Sequence, residues 1–291
     1  MAIIRTSANA IRRGRVGDTT YYYRNGQQVA RQSRNNSNYG GMATRLPVQQ
    51  ANRVKWANLV NFFKVSRVWM KGAFESKKQN QTDYNAFMAR NKSASPICLN
   101  KTQAAQSCCC AYPYIISQGS LAPVGYTFES GSIFTTDLLL PSGFDIEEAT
   151  IKSLSEAIIE NNVGFQNGDN LAFITYGTRF EDTVNPYTTC VYLELTLDTS
   201  NTSALASHPL GELMNKDASR HIIIDATGVG VTGDVSCALV HTRIDGGLKV
   251  SSQTLLCSAP AMYAPLTTDA WEAECAASYG VDEEVPLEPT E

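Results

Sequence analysis

Five short runs rich in β-branched and aromatic residues follow one another from Asn170 onward in this 291-residue chain. They are LAFITY, TTCVYLELTL, HIIIDAT, VSCALVHTRI and LKVSSQTLL. Gly, Asn, Asp or Pro bounds the runs, and this composition predicts β-strands because branched and aromatic side chains suit a pleated, half-buried surface. Asp245-Gly246-Gly247 predicts a hairpin between the last two runs. The second half of the chain should therefore form an antiparallel sandwich or a compact β-sheet.

Helical patterns precede those strands. Pro47 suits the first turn of a helix, because the amide hydrogen that proline lacks has no helical partner there. An apolar stripe follows at the spacing of one helical face and consists of Trp56, Leu59, Val60 and Phe63. Residues 68–74 favour a second, shorter helix interrupted by Gly72, and Thr82 predicts the N-cap of a third. We expect a small helical region with a basic exterior; no turn of the right kind favours a helix-turn-helix.

One more helix is expected just before the strands. Asp145 and Glu148 have the spacing of a capping box, in which each side chain accepts a hydrogen bond from a free amide at the helix start. The buried side of this helix would consist of Ile151, Leu154 and Ile158. The residues that would end it are Asn161, Asn162 and Gly164.

A hairpin signal occupies residues 19–32. Asn25-Gly26 separates TTYYYR from QQVARQ, and both turn positions need the positive φ that Asn and Gly tolerate. The candidate partner-binding residues in and around it are Arg12, Arg13, Arg15, Arg24, Arg31 and Arg34. Such arginines can hold phosphates while neighbouring tyrosines stack on bases. They can equally dock on an acidic protein surface, or form a solvated hairpin whose tyrosines pack on a neighbour.

Charge is divided between the two parts of the chain. Residues 1–101 carry a net charge of +15 and residues 102–291 a net charge of −19, which the formal total of −4 conceals. A cationic region seeks polyanions, whether nucleic acid or an acidic protein surface, and an anionic region avoids them. The two regions could also attract each other, within one chain or head to tail between copies.

The cysteines and histidines lack the spacing of a metal site. Structural zinc sites need paired ligands such as two Cys-x-x-Cys units, whereas three of the eight cysteines are adjacent, at positions 108–110. Adjacent cysteines do not indicate a disulfide framework either, so we expect reduced, buried thiols. Cys190 with His208 or His221 could supply a thiol and a base, but no local motif selects one cysteine as a nucleophile.

Two further patterns resemble enzyme sites. GVGVTG at residues 228–233 follows a strand-like run and matches the dinucleotide-binding fingerprint. That mechanism requires a helix next, and the residues that follow predict a strand, so we expect a tight turn or bulge. The acidic residues of 145–148 could act as paired carboxylates, but a helix start explains them. We therefore expect no catalytic residues, no cofactor and no metal ion.

Changes in composition divide the chain into five parts. They are a basic arm with a β-hairpin (1–46), a small helical region (47–101), a connector (102–143), a β-rich domain with one leading helix (144–281) and an acidic tail (282–291). The fold class is α+β. No run approaches the ~18 apolar residues of a membrane-spanning helix, and polar residues interrupt the first eleven, so we expect synthesis in a cytoplasm and no membrane partner.

Four phrases, in this order, carry a resemblance to a known family: GRVGDTTYYYRNGQQVARQ, ANRVKWANLVNFFK, PYIISQGSL and CALVHTRIDGGLKVSSQTLL. Over residues 14–257 the chain resembles an uncharacterised protein family of gut Bacteroidetes and of the crAss-like phages that infect them. The cysteine run at 108–110 departs from that pattern. The resemblance implies a phage particle protein with an immunoglobulin-like sandwich at its C-terminal end, and it carries over no catalytic motif.

These observations lead to one function and one alternative. The first is a non-enzymatic structural or assembly protein of a phage particle: a capsid-associated, head-to-tail connecting or carried component. It would be made in the bacterial host cytoplasm and reside in the virion, with other copies of itself or other virion proteins as partners. The alternative is a nucleic-acid-binding or DNA-organising protein that uses residues 1–101.

Overall fold

The structure is a computed structural model, and it describes residues 2–4, 14–16, 19–24, 27–32, 47–78, 81–128, 133–181, 184–258 and 260–279. Within these ranges the fold is α+β, with several antiparallel sheets. The helices are α1 (Pro47–Ser66), α2 (Asp83–Asn91), α3 (Lys101–Ala105), α4 (Ile151–Asn161) and α5 (Asp269–Ser278). The strands are β1 (Ala2–Ile4), β2 (Gly14–Val16), β3 (Thr19–Arg24), β4 (Gln27–Gln32), β5 (Ile115–Ser117), β6 (Tyr126–Phe128), β7 (Ile133–Leu139), β8 (Asn170–Phe180), β9 (Pro186–Thr196), β10 (Met214–Lys216), β11 (His221–Asp225), β12 (Asp234–Ile244), β13 (Leu248–Val250), β14 (Gln253–Thr254) and β15 (Leu256–Cys257).

The strands β8, β9 and β12 form the centre of the fold. They are 11 residues long each, and β8 lies between the other two in an antiparallel sheet with the order β13-β12-β8-β9. The short strand β15 pairs with Ser236 and Cys237 near the start of β12, on the edge of β12 opposite to β8. The hairpin predicted around Asp245 is confirmed, because β12 pairs with β13 across it and Gly246 has a φ of 60°.

This central sheet has two buried faces, because side chains alternate along a strand. Leu171 and Phe173 point to a core shared with α4 and with a second sheet of order β10-β11-β7-β6. Ile174 and Tyr176 point to the opposite core, which α1 and α2 cover. Full burial of each large apolar side chain stabilises the fold by about 2 kcal/mol. The helices thus add a third layer to the two packed sheets.

The helix predicted from Pro47 is confirmed, but its buried face is rotated from the expected stripe. Leu59 is buried as predicted, whereas Trp56 is 41% exposed and Phe62 takes the central position in the core. The reason is two buried asparagines, Asn58 and Asn61, which turn a polar edge of α1 toward the interior. Neither asparagine belongs to the apolar stripe on which the prediction depended.

The expected helix at residues 68–74 is wrong, and the chain makes turns there instead. Gly72 has a φ of 85°, and the nearest atom to an added Cβ would be Leu248 Cδ2 at 2.7 Å. The positive φ favours glycine and is incompatible with a helix, whereas an added Cβ would displace only the end of the exposed Leu248 side chain. The Thr82 cap is confirmed, since its hydroxyl accepts a hydrogen bond from the Asn85 amide at 3.2 Å.

The helix before the strands exists but begins later than predicted. Its N-cap is Thr150, which forms a reciprocal capping box with Ser153, so the pairing of Asp145 with Glu148 is wrong. Asp145 instead accepts the Glu147 amide in the preceding loop, at 3.0 Å. The predicted buried side of Ile151, Leu154 and Ile158 is confirmed, and the helix ends at Asn161. The C-terminal helix α5 was not expected.

The three adjacent cysteines lie in an extended segment between α1 and β9. Asn58 bonds both backbone groups of Cys110, accepting from its amide at 2.8 Å and donating to its carbonyl at 3.2 Å. Asn61 donates to the carbonyl of Cys108 at 3.0 Å. On the other side, the Cys109 amide donates to the Pro186 carbonyl at 2.9 Å. The stretch 102–143 therefore contributes core structure and three strands as well as connections.

Candidate polyanion-binding site

The N-terminal strands form a sheet of their own, with the order β1-β4-β3-β2 and antiparallel pairing throughout. The hairpin predicted from the sequence is confirmed, because β3 pairs with β4 in register from Thr19 with Gln32 to Arg24 with Gln27. The turn residues Asn25-Gly26 lie outside the described residues. The two outer strands, β1 and β2, were not expected from the sequence.

The register of this sheet brings predicted site positions together. Arg15 on β2 and Arg31 on β4 both pair with Thr20 on β3, so the three positions form one row across the sheet. Adjacent strands lie about 4.8 Å apart, which places the backbones of positions 15 and 31 about 10 Å from each other. Position 24 is four residues from Thr20 along β3 and therefore belongs to the same face.

Arg31 shows how one of these arginines is held. It is exposed, and its guanidinium carbon lies 5.6 Å from the centroid of the Tyr22 ring, which belongs to the same face. A cation over an aromatic ring at this distance is stabilised by about 0.5–1 kcal/mol at an exposed site. Among the ion pairs within the described part of the chain, none includes Arg31. Its charge is therefore oriented by the ring and not neutralised by a described carboxylate.

The other candidate arginines are located less fully. Arg15 and Arg24 are placed by backbone register alone. Arg12, Arg13 and Arg34 lie outside the described residues. The structure thus groups three of the six predicted positions on one face and does not address the remaining three.

The helical region adds further positive charge. Lys55 pairs with Glu272 at 3.0 Å and Lys77 with Asp83 at 2.6 Å, so part of the basic surface is neutralised within the chain. The exposed cations near the end of α1 are Lys64, Arg67 and Lys71. None of these three takes part in an ion pair with another described residue.

The thiol and base suggested by Cys190 and the two histidines do not meet. Cys190 is on β9 in the central sheet, and burial raises the pKa of its thiol to about 12. His221 is on β11 in the second sheet, where its Nδ1 lies 3.2 Å from Asp217. His208 accepts a hydrogen bond from the Leu210 amide in a turn. A thiol with so high a pKa is not a thiolate near neutral pH, so it is a poor nucleophile.

The cysteines and the glycine motif have structural explanations. All eight cysteines are free, and burial raises the pKa of Cys109, in the adjacent run, to about 12. No group of three His, Cys, Asp or Glu residues within the described ranges could hold a metal ion. The glycine motif lies in a short 3₁₀ helix, Ala226–Val229, and the loop that precedes β12. The expected strand after the motif is confirmed, but a 3₁₀ helix and a loop take the place of the expected tight turn or bulge. At Gly233, with a φ of 93°, an added Cβ would lie 2.1 Å from the Thr178 carbonyl oxygen.

Sequence reasoning missed a buried charged cluster around Asp169. The carboxylate is fully buried; its Oδ2 lies 2.8 Å from His241 Nε2, and its Oδ1 accepts from Arg243 Nε at 2.6 Å. Burial raises the pKa of Asp169, but the hydrogen bonds from Arg243, the Gln166 amide and His241 outweigh burial and lower it. Phe165 stacks on the His241 ring at 4.2 Å between centroids.

This cluster ties three parts of the fold together. It joins the loop before β8 to β12, and Arg243 also donates to the Gly164 carbonyl at 2.7 Å, just beyond α4. The pKa of His241 is lowered, mainly because the side chain is buried. The imidazole is therefore neutral near pH 7 and can donate its Nε2 hydrogen to Asp169. With His241 and Asp169 fully buried, the arrangement stabilises the fold and offers no access to a substrate.

The described residues contain no helix that is both long and apolar enough to span a membrane. Comparison with protein-family models, with curated proteins and with solved structures found no match to this chain.

Proposed function

We propose that the chain is a non-enzymatic structural or assembly protein of a phage particle, which docks on an acidic protein surface through its N-terminal sheet. The observation that carries the proposal is the shared face of Arg15, Arg24 and Arg31. Cations grouped on one face of a sheet attract an anionic partner more effectively than the same cations scattered over a coil, because less backbone freedom is lost on docking.

A second copy of the chain is a suitable partner on grounds of charge. Residues 102–291 carry a net charge of −19, opposite to the +15 of residues 1–101. Head-to-tail contacts between unlike surfaces build rings when the rotation closes and filaments when it does not. We propose that the β-rich part is immunoglobulin-like and provides shape and spacing between copies. Its two packed sheets and their shared core support that role.

The test reverses the charge of the shared face in the full chain. We expect the triple variant Arg15→Glu, Arg24→Glu, Arg31→Glu to abolish the oligomers that the unchanged chain forms in sedimentation velocity at low salt. The matched control, Lys78→Glu, Lys92→Glu, Lys101→Glu, makes the same change in charge at exposed positions of the helical region and should keep them. A chain that is monomeric at all salt concentrations and absent from purified virions would overturn the proposal.

The alternative is a nucleic-acid-binding or DNA-organising protein. The specific observation that favours it is the Arg31 guanidinium over the Tyr22 ring, since such pairs can contact both a phosphate and a base. If the six candidate arginines each neutralise a phosphate, the affinity for duplex DNA should fall with salt at a log-log slope of about −5. Binding measured by fluorescence anisotropy over a range of salt concentrations tests this, and a flat profile would exclude it.

The virion location is part of the same proposal. Mass spectrometry of purified particles should find the chain at a fixed copy number relative to the major capsid protein. Copy numbers that vary between preparations would indicate a contaminant from the host cytoplasm and would contradict a structural role.

A further inference from the structure

A groove opens on the helix-facing side of the central sheet, beyond the end of α1. Its volume is about 160 Å³, and apolar side chains of the sheet, including Ala172 and Val240, form its floor. Trp69 and Tyr192 line it, with Lys71 and Glu194 among its polar residues. The Trp69 ring is fixed, because its indole nitrogen donates to the Tyr176 hydroxyl at 2.9 Å. The groove is therefore built from ordered aromatic side chains with a cation beside them.

An exposed stripe on α1 leads toward this groove. Arg53, Trp56, Val60 and Lys64 recur at intervals of three or four residues, which places them on one side of α1, and Arg67 follows at the same spacing in the turn after the helix. All except the half-buried Val60 are exposed. The stripe is cationic at both ends, and Lys71 continues it into the groove after the helix has ended.

The C-terminal helix ends beside the start of this stripe. Tyr279, the last described residue, lies close enough to Arg53 for the two to interact electrostatically. Glu272 on α5 pairs with Lys55 on α1 at 3.0 Å, which fixes the two helices against each other. The chain therefore leaves α5 at the N-terminal half of α1.

We infer that the groove and the stripe bind an acidic, proline-containing peptide, and that the occupant is the chain's own segment 280–291. This segment lies outside the described residues. Its sequence, GVDEEVPLEPTE, contains five carboxylate side chains and no basic residue. Its charge is thus opposite to that of the stripe, and its two prolines are spaced as in peptides that dock between aromatic rings in the polyproline II conformation.

The length of the tail segment matches the length of the stripe that it would follow. From Arg53 to Ser66, the last residue of α1, the helix rises about 20 Å, at about 1.5 Å per residue. Seven residues of polyproline II, from 280 to 286, span about 22 Å. Asp282, Glu283 and Glu284 would then run along the stripe toward Lys64 and Arg67, and Pro286 to Pro289 would reach Trp69 and Tyr192. Glu194 repels carboxylates on its side of the groove, so Glu288 should turn toward Lys71.

Carbodiimide cross-linking of the full chain tests the proposal, because the reagent joins only carboxylates and lysines in direct contact. We expect mass spectrometry to find Lys71 joined to Glu288 or Glu291, and Lys64 joined to an acid of 282–284. Lys92, an exposed lysine on the turn after α2, serves as the internal control. Tail cross-links to Lys71 and Lys64 that are no more frequent than those to Lys92 would overturn the proposal.

Two further experiments test which chain supplies the tail and whether its acidic residues hold it in place. In an equal mixture of unlabelled and ¹⁵N-labelled chain, the cross-links should join peptides of one isotope. Mixed-isotope products would show that a second copy supplies the tail and would overturn the assignment to the same chain.

The triple variant Asp282→Asn, Glu283→Gln, Glu284→Gln should lower the yield of the Lys71–Glu288 cross-link roughly fivefold, because three ion pairs with the stripe are lost. The matched variant Asp145→Asn, Glu147→Gln, Glu148→Gln should leave it unchanged. The inference does not rest on the proposed function.

Discussion

The molecule uses arginine in two different ways, and Arg243 and Arg31 represent them. Arg243 makes two hydrogen bonds to the fully buried Asp169, at 2.6 and 2.8 Å, so its charge is satisfied inside the chain. Arg31 lies on the N-terminal sheet over Tyr22, and no ion pair with another described residue includes it. The first arginine links parts of the fold, whereas the second is exposed and has no carboxylate partner among the described residues.

The contrast between these two arginines shows which charges stabilise the fold and which do not. A buried ion pair is costly to break, because the remaining charge loses its partner in a medium of low dielectric constant. An exposed cation contributes little to stability, because water and salt screen it. The free energy of unfolding should therefore respond strongly to substitutions around Arg243 and hardly at all to substitutions around Arg31.

The largest effect is expected for Asp169→Ala. This change leaves the partly buried Arg243 and the buried His241 without their common acceptor, and should lower the free energy of unfolding by about 3–5 kcal/mol. Equilibrium denaturation followed by tryptophan fluorescence measures it. Glu160→Ala, which removes an exposed carboxylate from α4, is the matched control and should change the value by less than about 0.5 kcal/mol. Equal effects of the two variants would show that the cluster does not stabilise the fold.

A somewhat smaller effect is expected on the other side of the central sheet. Asn58→Ala removes the bonds to both backbone groups of Cys110 and to the Tyr114 hydroxyl, the last at 2.7 Å. Buried polar groups left without partners should lower the free energy of unfolding by about 2–3 kcal/mol. Asn52→Ala, at an exposed position of the same helix, should be nearly neutral. If Asn58→Ala were also neutral, the cysteine run would be held by its packing alone.

Local features of the fold could be predicted from the sequence. The strand runs, the hairpin at Asn25-Gly26 and the Thr82 cap depend on residues close together in the chain, so composition and spacing are enough to find them. The start of α4 was misplaced because both Asp145 and Thr150 are good N-cap residues, and only tertiary packing selects between them. Helix α5 was missed because Cys275 is its one fully buried residue, which leaves no apolar stripe to detect.

The partners of buried polar groups could not be predicted. Asp169 is 72 residues from His241, and Asn58 is 52 residues from Cys110. No local pattern links such positions, and a buried asparagine looks like a solvent-facing one until its acceptor is known. The candidate site was found only in part: the hairpin signal identified Arg24 and Arg31, but the pairing of β2 that brings Arg15 onto the same face is a property of the assembled sheet.

The buried His241 of the Asp169 cluster should make stability depend on pH. Burial lowers the pKa of His241 in the folded chain below its usual value of about 6.5, so below that pH the unfolded chain binds the proton more readily. Stability should therefore fall as the pH drops through 6.5, with a slope of at most about 1.4 kcal/mol per pH unit for this one group. Asp169 does not contribute in this range, because its lowered pKa keeps it ionised.

The variant His241→Asn separates the contribution of His241 to this pH dependence from that of the other titrating groups. It should flatten the dependence of the free energy of unfolding on pH between 7 and 5.5, whatever its effect on stability at pH 7. Burial also lowers the pKa of His208, so His208→Asn is the matched control, and it should remove only its own contribution. An unchanged slope in His241→Asn would show that His241 binds the proton equally well in the folded and unfolded chains, so that burial does not lower its pKa.

The smallest effect on stability is expected for the triple variant Arg15→Glu, Arg24→Glu, Arg31→Glu. Exposed arginines without a carboxylate partner contribute little to stability, so if all three sites resemble Arg31 the free energy of unfolding should change by less than about 0.5 kcal/mol per site. The same variant should lose the binding of polyanions or of acidic partners, measured at low salt. A variant that binds normally would remove the N-terminal sheet from the proposed function. A loss of several kcal/mol would show instead that these arginines, like Arg243, are satisfied by the chain itself, and the contrast between the two regions would no longer distinguish a structural charge from an available one.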